Sequence, residues 1–258
     1  MRVLRASESS GSARITPALL PYRDARDKGP SDVIPSDSFW LTRLAEHADL
    51  EFHRHGNHLA VILSGTVDLH PRGGETVSLL PGDVLSCDVH SPDALTARWS
   101  EDLWVLLIGT PGWVPEEGSH DVERVWDPRR GRPSMTWIYD DGNYSRTEPF
   151  RWEGQLTSVP ARAEWVTSVG AFVTRRDYGR DGFADGVWHN GPRRQFAITL
   201  AGRAELETSD ATITSPVAGD LVLIDDTVGP GHVTRGQGDR WMLFLTVAAG
   251  ELALTPEQ

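Results

Sequence analysis

Cysteine is almost absent from this chain of 258 residues, in which Cys87 stands alone. A single cysteine excludes an internal disulfide framework, and a thiolate metal cluster would need more than one. We expect Cys87 to be a small apolar core residue. Any metal site must therefore be built from other residue types.

Long apolar runs and concentrated basic charge are also missing. No window approaches the roughly 20 apolar residues that a membrane helix needs, and residues 1–20 lack the apolar core of a secretory signal. The formal net charge is −12, and no basic cluster is longer than a few residues. Because phosphate binding needs concentrated Lys and Arg, we expect a cytoplasmic protein with neither a nucleic-acid nor a membrane partner.

Tryptophan, by contrast, is abundant, with ten residues against four tyrosines and seven phenylalanines. Most of these side chains suit the bulky filling of a β-rich core. Trp188 differs because it directly precedes His189. We therefore take Trp188 as a candidate wall of an apolar pocket around a small ligand.

Short β-branched and aromatic runs dominate the chain and are divided by Gly, Pro, Asp and Asn turns. Long helical patterns are scarce. Typical runs are HLAVILSG, ETVSLLPGDVLS, DLWVLLIG, QFAITLAG, LVLID and WMLFLTV. This pattern predicts an all-β protein.

An internal repeat runs through these strands. The stretch HLAVILSGTVDLHPRGGETVSLLPGDVLSCD begins at His58 and aligns without a gap, at an offset of 137, with QFAITLAGRAELETSDATITSPVAGDLVLID from Gln195. Asp83 thereby falls on Asp220. Upstream, the stretches WLTR and FVTR also correspond, with a loop of different length. Such self-similarity predicts two copies of one β unit.

The repeat divides the chain into four parts. A polar leader precedes the first unit, and a segment rich in Pro, Gly and Trp joins the two units. We expect this segment to pack partly on the barrels. The predicted parts are a leader at 1–36, an N-terminal barrel at 37–110, a connector at 111–165 and a C-terminal barrel at 166–258.

Each unit has a recognisable order of motifs. A histidine-bearing segment precedes an apolar strand that ends in Gly, and a hairpin then leads to a Gly-Asp turn (PGD in the first copy, AGD in the second) and another apolar strand. This order resembles the cupin superfamily of small double-sheet jelly rolls. The second half also resembles a group of mostly uncharacterised bacterial cupins. The resemblance implies two tandem cupin-type double-stranded β-helix (jelly-roll) barrels in one chain, a bicupin.

The resemblance also implies a divalent metal inside a barrel. In the first copy, EFHRHGNHLAVILSG offers His53 and His55, which would share one face of a strand, and His58 in place of the usual Glu. His90 is the candidate fourth ligand or general base, with Asp93 or water as alternatives. Neutral imidazoles suit one divalent transition metal, iron by preference, with Zn, Ni or Mn also possible. The alternative interpretation is that some of these histidines are surface residues at a polar strand end.

The second copy is weaker as a metal site. Gly191 stands at the second ligand position and Gln195 at the Glu position, and a neutral amide coordinates metals poorly. We therefore favour polar recognition of a bound organic anion, with a solvated turn as the alternative for Arg193 and Arg194. The candidate catalytic residues are His90, His189 and His232, and the candidate substrate-binding residues are Trp188, Arg194, Gln195 and Thr234.

Other motifs give less. Asp225 and Asp226 could form a carboxylate pair for acid–base chemistry, but Asp225 shares its repeat position with Asp88, which favours a turn or barrel-rim role. No nucleophile elbow, P-loop or dinucleotide-binding glycine pattern occurs in the sequence. Acyl hydrolysis and nucleotide binding therefore have no support.

The resemblance implies a metal-dependent small-molecule enzyme of the bicupin type. Our first hypothesis is a mononuclear iron dioxygenase-like oxidoreductase with its metal in the N-terminal barrel. The alternatives are a non-catalytic small-molecule-binding cupin and a cupin isomerase or decarboxylase. We expect a small organic molecule as ligand and, from the resemblance alone, a homodimer.

Overall fold

The computed structural model describes most of the chain as β-strands. The described residues are 1–24, 33–45, 55–99, 101–120, 122, 132–151, 165–178, 186–250 and 255–256. Within these ranges the protein has no α-helix. Accordingly, none of the described segments is a helix long and apolar enough to span a membrane.

Strands β1 to β11 belong to the first half of the chain. They are β1 (Val3–Ser9), β2 (Ser12–Leu19), β3 (Tyr22–Asp24), β4 (Ser38–Leu44), β5 (His58–Ser64), β6 (Val67–Pro71), β7 (Val77–Leu79), β8 (Val84–Asp88), β9 (Leu95–Arg98), β10 (Leu103–Gly109) and β11 (Glu116–Glu117).

Strands β12 to β19 belong to the second half and include two long, bent strands, β15 and β18. They are β12 (Met135–Asp140), β13 (Ser145–Arg151), β14 (Val166–Asp177), β15 (Gln195–Thr208), β16 (Ile213–Thr214), β17 (Leu221–Ile224), β18 (His232–Val247) and β19 (Thr255–Pro256).

The strand order is the same in both halves when it is read outward from the centre. In the 16-stranded sheet, β4-β10-β5-β8-β1-β2-β11 runs to one side and β14-β18-β15-β17-β12-β13-β19 to the other. A separate sheet, β7-β6-β9, completes the first barrel. In the second barrel the far ends of β15 and β18, with β16, take that place. The prediction of two tandem jelly-roll barrels in an all-β chain is confirmed.

The predicted leader and connector carry strands of their own. Strand β1 pairs in parallel with β8, and β12 pairs in parallel with β17 in the same manner. Strand β3 crosses to the second half and pairs with β14. The hairpins β1–β2 and β12–β13 are thus equivalent contributions to the two barrels.

The aspartate of the Gly-Asp turn fixes these hairpins. Asp83 accepts a hydrogen bond from the backbone N–H of Arg2, and Asp220 accepts one of 2.7 Å from the backbone N–H of Ser134. Each carboxylate also accepts the backbone N–H three residues before it. The motif therefore joins its own turn to the start of β1 or β12.

The glycine of the same turn sets the contact between the barrels. A Cβ atom on Gly82 would lie 2.1 Å from the Leu200 carbonyl oxygen, and one on Gly219 would lie 2.0 Å from the Leu63 carbonyl oxygen. Both glycines have a positive φ, of 83° and 92°. Each turn therefore lies against the backbone of the other barrel, and the two contacts are reciprocal.

Alternate residues of the central strands point into two different environments. One set faces the other barrel and forms a shared apolar cluster, whose members on β5 and β15 include Leu59, Val61, Leu63, Phe196, Ile198 and Leu200. The intervening residues face the interior of their own barrel, as strand alternation requires.

The interior of the N-terminal barrel is packed with apolar side chains. Cys87 belongs to this packing, and burial raises the pKa of its thiol to about 12. The buried members include Leu44, Ala60, Ile62, Leu69, Leu79, Leu85, Leu95, Leu103, Val105 and Leu107.

Candidate functional site

The C-terminal barrel contains a cavity of about 500 Å³. This volume lies within the roughly 300–1,000 Å³ of typical small-molecule sites. Alternate residues of four strands line it, because successive side chains of a strand point to opposite faces. Those on β14 are Phe172, Thr174 and Arg176, with Tyr178 directly after the strand, and those on β18 are His232, Thr234, Arg240, Met242 and Phe244.

The middle of the cavity is apolar. Phe172 and Phe244 are paired across β14 and β18, and their rings stack with centroids 4.9 Å apart and planes 12° apart. Ala197 pairs with Phe244 on the other side, and Val222 pairs with Ala197. This band of side chains can hold a flat or aliphatic group.

Two histidines meet at the mouth of the cavity. His189 and His232 form an isolated β-bridge in which each backbone N–H donates to the other residue's carbonyl, both at 2.9 Å. Their rings are 4.5 Å apart between centroids. His189 is exposed, whereas His232 is only 1% exposed. The bridge therefore places one imidazole inside the barrel and one at its entrance.

Each of these imidazoles is held through Nδ1. His232 Nδ1 lies 2.7 Å from Asp226 Oδ2, and both side chains are buried. His189 Nδ1 lies 2.8 Å from the Val187 carbonyl oxygen. Carboxylate and carbonyl oxygens accept hydrogen bonds, so Nδ1 is the donor in both rings. In the neutral rings, Nε2 then carries the lone pair.

Two buried acceptors border the same end. Asp226 Oδ1 and Gln195 Oε1 have no hydrogen-bond partner among the described residues. A buried acceptor without a partner is costly. Gln195 lines the cavity, so a ligand donor there would relieve that cost.

The opposite end of the cavity carries two arginines. Arg176 on β14 stands directly across from Arg240 on β18. Arg240 is 7% exposed, and burial holds the pKa of its guanidinium below the usual value. In the part of the chain that the structure describes, no carboxylate contacts either guanidinium. Like charges opposite each other on adjacent strands are unfavourable, and so is a buried unpaired charge.

Tyr178 covers this arginine end. Its side chain is the hydrogen-bonding neighbour of Arg240, and the Arg176 guanidinium lies 4.6 Å from the centre of its ring. A Cβ atom on Gly236 would lie 2.1 Å from the ring. Only glycine at position 236 leaves room for the phenol in this place.

The structure brings together some of the residues that the sequence predicted for the second barrel and leaves others out. His189, Gln195, His232 and Thr234 line the cavity. Arg194 instead pairs with Asp225, with Nε 3.2 Å from Oδ2, and Asp225 also accepts a hydrogen bond of 3.3 Å from Trp137 Nε1. Trp188 is 47% exposed and is not part of the cavity wall.

Asp225 and Asp226 have separate roles. Burial raises the pKa of the Asp225 carboxyl, which Arg194 and Trp137 contact. Asp226 is fully buried and faces His232. The two carboxylates thus have different partners, and Asp226 is the one that contacts a residue of the cavity wall, His232.

The predicted metal ligands of the first barrel are only partly described. His53 lies outside the described residues. His55 and His58 are buried, with ring centroids 6.0 Å apart. His58 Nδ1 lies 2.7 Å from the Gly56 carbonyl oxygen, and the His55 ring lies 5.5 Å from the Trp165 ring. Two imidazoles thus lie close together at one end of this barrel.

His90 does not join them. Its side chain is 66% exposed, and its Nε2 lies 3.1 Å from Asp88 Oδ1. Its backbone N–H donates to Glu8. Asp93, the alternative ligand, is also exposed. The position of His90 on the surface therefore does not support its predicted role as fourth ligand or general base.

A metal does not fit the described donors alone. Among the residues that the structure describes, no group of three or more His, Cys, Asp or Glu side chains could hold a metal ion. His55 and His58 supply two nitrogen ligands, whereas metal sites of this kind use three or four protein ligands. We therefore assign no step of the chemistry to a metal.

Sequence reasoning missed Arg176, Arg240, Tyr178 and the role of Asp226. A comparison of the two copies would have found the arginines. The residue that follows WLTR is Leu44, and the residue that follows FVTR is Arg176. Leu103, at the repeat position of Arg240, is likewise apolar. These two positions are apolar in the first copy and charged in the second, and both line the cavity.

Known proteins resemble this chain only distantly. No family model matches the sequence, and no curated protein matches it.

Solved structures do match. A protein of unknown function from Pseudomonas syringae is 13% identical, covers 95% of this chain and 98% of its own, and has a TM-score of 0.36. A Cupin 2 conserved barrel domain protein from Leptotrichia buccalis is 13% identical, with 90% and 100% covered and a TM-score of 0.37.

The oxalate decarboxylase of Bacillus subtilis, studied for its Mn(II) centres, is 11% identical, with 86% and 71% covered and a TM-score of 0.26. Cupin-type barrels are thus among the structures that this chain is similar to. At TM-scores below 0.5 we draw nothing from them about activity, metal or ligand.

Proposed function

We propose that the protein is a small-molecule enzyme of the bicupin type whose chemistry takes place in the C-terminal barrel. The observation that carries this proposal is that His232, which lines the cavity of about 500 Å³, forms a buried pair with Asp226. An imidazole held at Nδ1 by a carboxylate presents Nε2 as a general base. Such a pair in a cavity suits proton transfer to or from a bound molecule.

Each residue at the mouth has a distinct task in that chemistry. Asp226 accepts the Nδ1–H of His232 and stabilises the imidazolium that forms when Nε2 takes a proton from the ligand. His189, with its ring 4.5 Å away and exposed to solvent, exchanges the proton with water. Gln195 accepts a hydrogen bond from the ligand and orients it.

The iron-dependent dioxygenase that we predicted for the first barrel is the second candidate. The buried pair His55 and His58 favours it. A divalent metal there would need a further ligand, for which His53 is the sequence candidate, and would supply Lewis acidity or oxygen activation. Elemental analysis of the wild type beside a His55→Ala/His58→Ala variant tests it, because a bound metal would be lost from the variant.

Turnover of a mixed metabolite extract, followed by mass spectrometry, tests the proposal. The wild type should consume at least one compound. His232→Asn and Asp226→Asn should slow that reaction by about 10²-fold or more, the usual contribution of a positioned base. His58→Asn is the matched control in the other barrel, since His58 occupies the repeat position of Gln195, and should react at the wild-type rate.

The outcomes separate the candidates. A reaction lost in His58→Asn but kept in His232→Asn would transfer the chemistry to the N-terminal barrel. No turnover by the wild type, even after loading with Fe, Zn, Ni or Mn, would overturn both enzyme proposals and leave a non-catalytic binding protein. The homodimer stays a prediction, which light scattering of the purified protein checks.

A further inference from the structure

We infer that the C-terminal cavity takes an elongated organic carboxylate of one defined length. Its carboxylate lies between Arg176 and Arg240, and an apolar body fills the middle of the cavity. Its other end reaches His232 and His189, and this last part rests on the proposed function.

The comparison of the two barrels is the evidence that the arginine end of the cavity binds an anionic group. In the N-terminal barrel Leu44 pairs with Leu103, and both are fully buried. At the same register in the C-terminal barrel, Arg176 pairs with Arg240. Two leucines show that this position can be filled by packing alone, so two opposed cations at the same register need a different cause. A bound anion offsets the repulsion between the two guanidinium groups and pairs the buried charge of Arg240.

The donor set favours a carboxylate over a phosphate. The two guanidinium groups offer forked, planar donors, which match the two oxygens of a carboxylate, and the Tyr178 phenol offers one further O–H. Phosphate sites usually add backbone N–H groups from a helix N-terminus or a nest. Here β14 and β18 pair with each other at Arg176 and Arg240, which commits their amide groups to the sheet.

Strand register gives the length of the ligand. Along β14 the cavity positions follow in the order Arg176, Thr174 and Phe172, in steps of two residues or about 6.6 Å. On β18, Gly236 under the Tyr178 ring is four residues from His232, a span of about 13 Å along the strand. Because the arginine and histidine side chains extend into this span, the two polar ends are on the order of 10 Å apart.

The band between the two ends selects an apolar body. The stacked Phe172 and Phe244 and the side chain of Met242 separate the arginines from the histidines. A short dicarboxylate or a sugar acid would place polar groups against these side chains and would lose hydrogen bonds to water. An arylalkyl or medium-chain carboxylate matches the band.

Matched pairs of probes test the inference by calorimetry and thermal unfolding. 3-Phenylpropionate should bind at least 10-fold more tightly than its uncharged isostere 3-phenylpropanamide. Affinity should pass through a maximum in the series benzoate, phenylacetate, 3-phenylpropionate, 4-phenylbutyrate and 5-phenylvalerate. Equal affinities of the acid and the amide would contradict the binding of a carboxylate by the two arginines. Equal affinities along the series would contradict a ligand of one defined length. Tighter binding of phenylethylphosphonate than of 3-phenylpropionate would contradict the preference for a carboxylate.

A double variant copies the other barrel. Arg176→Leu/Arg240→Leu recreates the pair Leu44–Leu103 and should raise the melting temperature of the free protein, since it removes two charges that no carboxylate of the described residues contacts. It should also abolish the difference between acid and amide. Arg203→Leu, an exposed arginine on β15, is the control and should leave the difference unchanged.

Retention of the acid–amide difference in the double variant would contradict the inference. If that variant does not fold, the single variant Arg240→Gln and the wild-type probe series still decide it. His232→Asn separates the two proposals, because it should keep carboxylate binding while losing turnover. Turnover of an uncharged compound, without carboxylate binding, would refute the inference and leave the proposed function intact.

Discussion

The two barrels have one strand order and two different interiors. Apolar side chains pack the described part of the N-terminal barrel's interior, whereas the C-terminal barrel encloses a cavity of about 500 Å³. Strand register aligns the two interiors residue by residue. The residues Leu44, His58, Leu95, Ala97 and Leu103 of the first barrel correspond to Arg176, Gln195, His232, Thr234 and Arg240 of the second.

The difference shows that a few inward positions decide what a barrel of this kind can do. Leucine, alanine and cysteine side chains interdigitate and leave little space. Arginine, histidine and glutamine must keep their polar atoms solvated or paired, so they cannot close the interior around themselves. The same substitutions that bring charge into the second barrel therefore also keep it open for a ligand.

Replacing the turn glycines should have the largest effect, and an equal one in both halves. Gly82→Ala and Gly219→Ala each place a methyl group against the other barrel's backbone at a positive φ. We expect each to lower the free energy of unfolding by roughly 3 kcal/mol or more, from strain and overpacking together. Denaturant unfolding measures both. A loss of stability in only one of the two variants would contradict the equivalence of the two turn contacts.

Truncation of one leucine in each barrel should separate the two interiors. Leu69 and Leu206 share a repeat position, but Leu69 is packed in the first barrel while Leu206 lines the cavity of the second. We expect Leu69→Ala to cost about 4 kcal/mol and Leu206→Ala about 2 kcal/mol, because fewer contacts are lost beside an existing cavity. Equal costs in chemical denaturation would show that the second interior is as closely packed as the first.

Enlargement of an alanine should give the opposite contrast. Ala60 and Ala197 share a repeat position and are both buried. Ala60→Leu overpacks the filled barrel and should cost about 2 kcal/mol. Ala197→Leu extends into the cavity, so its stability should stay within about 0.5 kcal/mol of the wild type, while ligand binding is lost. Thermal unfolding with and without 3-phenylpropionate checks both halves of this prediction.

The smallest effect concerns a histidine at the junction of the two halves. The Leu20 backbone N–H donates to His120 Nε2 at 2.9 Å, and the His120 ring lies 4.7 Å from the Trp241 ring. Burial lowers the pKa of His120 from 6.5, with Arg175 nearby adding to the effect. Below pH 6.5 the unfolded chain therefore binds a proton that the folded protein resists, and stability falls as the pH falls.

His120→Asn should therefore lose less stability than the wild type between pH 7.5 and pH 5.5. His70→Asn, at a half-buried position on β6, is the control and should follow the wild type. Melting temperatures at the two pH values measure the difference. An unchanged pH response in His120→Asn would mean that other groups set the acid stability of the junction.

The fold could be predicted from the sequence because its signals are local or repeated. Alternating apolar runs and turn residues gave the strands, and the gapless repeat gave two equal units. The pairing of β1 with β8 and of β12 with β17 escaped notice because these strands lie far apart in the sequence. A parallel pair of this kind leaves no local signal such as a tight turn.

The site was harder to predict than the fold. The three clustered histidines drew attention to the first barrel, and His189, Gln195 and His232 were found by motif position. Arg176 and Arg240 belong to no motif, since their importance arises only when β14 and β18 pair them across the interior. The exposure of His90 could not be predicted from the sequence either. It depends on the distant Glu8, whose carboxylate accepts hydrogen bonds from the backbone N–H groups of His90 and Ser91.

The reciprocal contacts of Gly82 with Leu200 and of Gly219 with Leu63 bear on how such a chain could arise. A single copy of the unit would carry both the glycine and its receiving carbonyl, so two separate copies could close the contact as a symmetric pair. Gene duplication and fusion would then need no new surface. Selection on the joined chain must preserve the shared contact in both copies. The two interiors can change independently, so that one became packed with apolar side chains and the other kept a cavity with polar and charged residues.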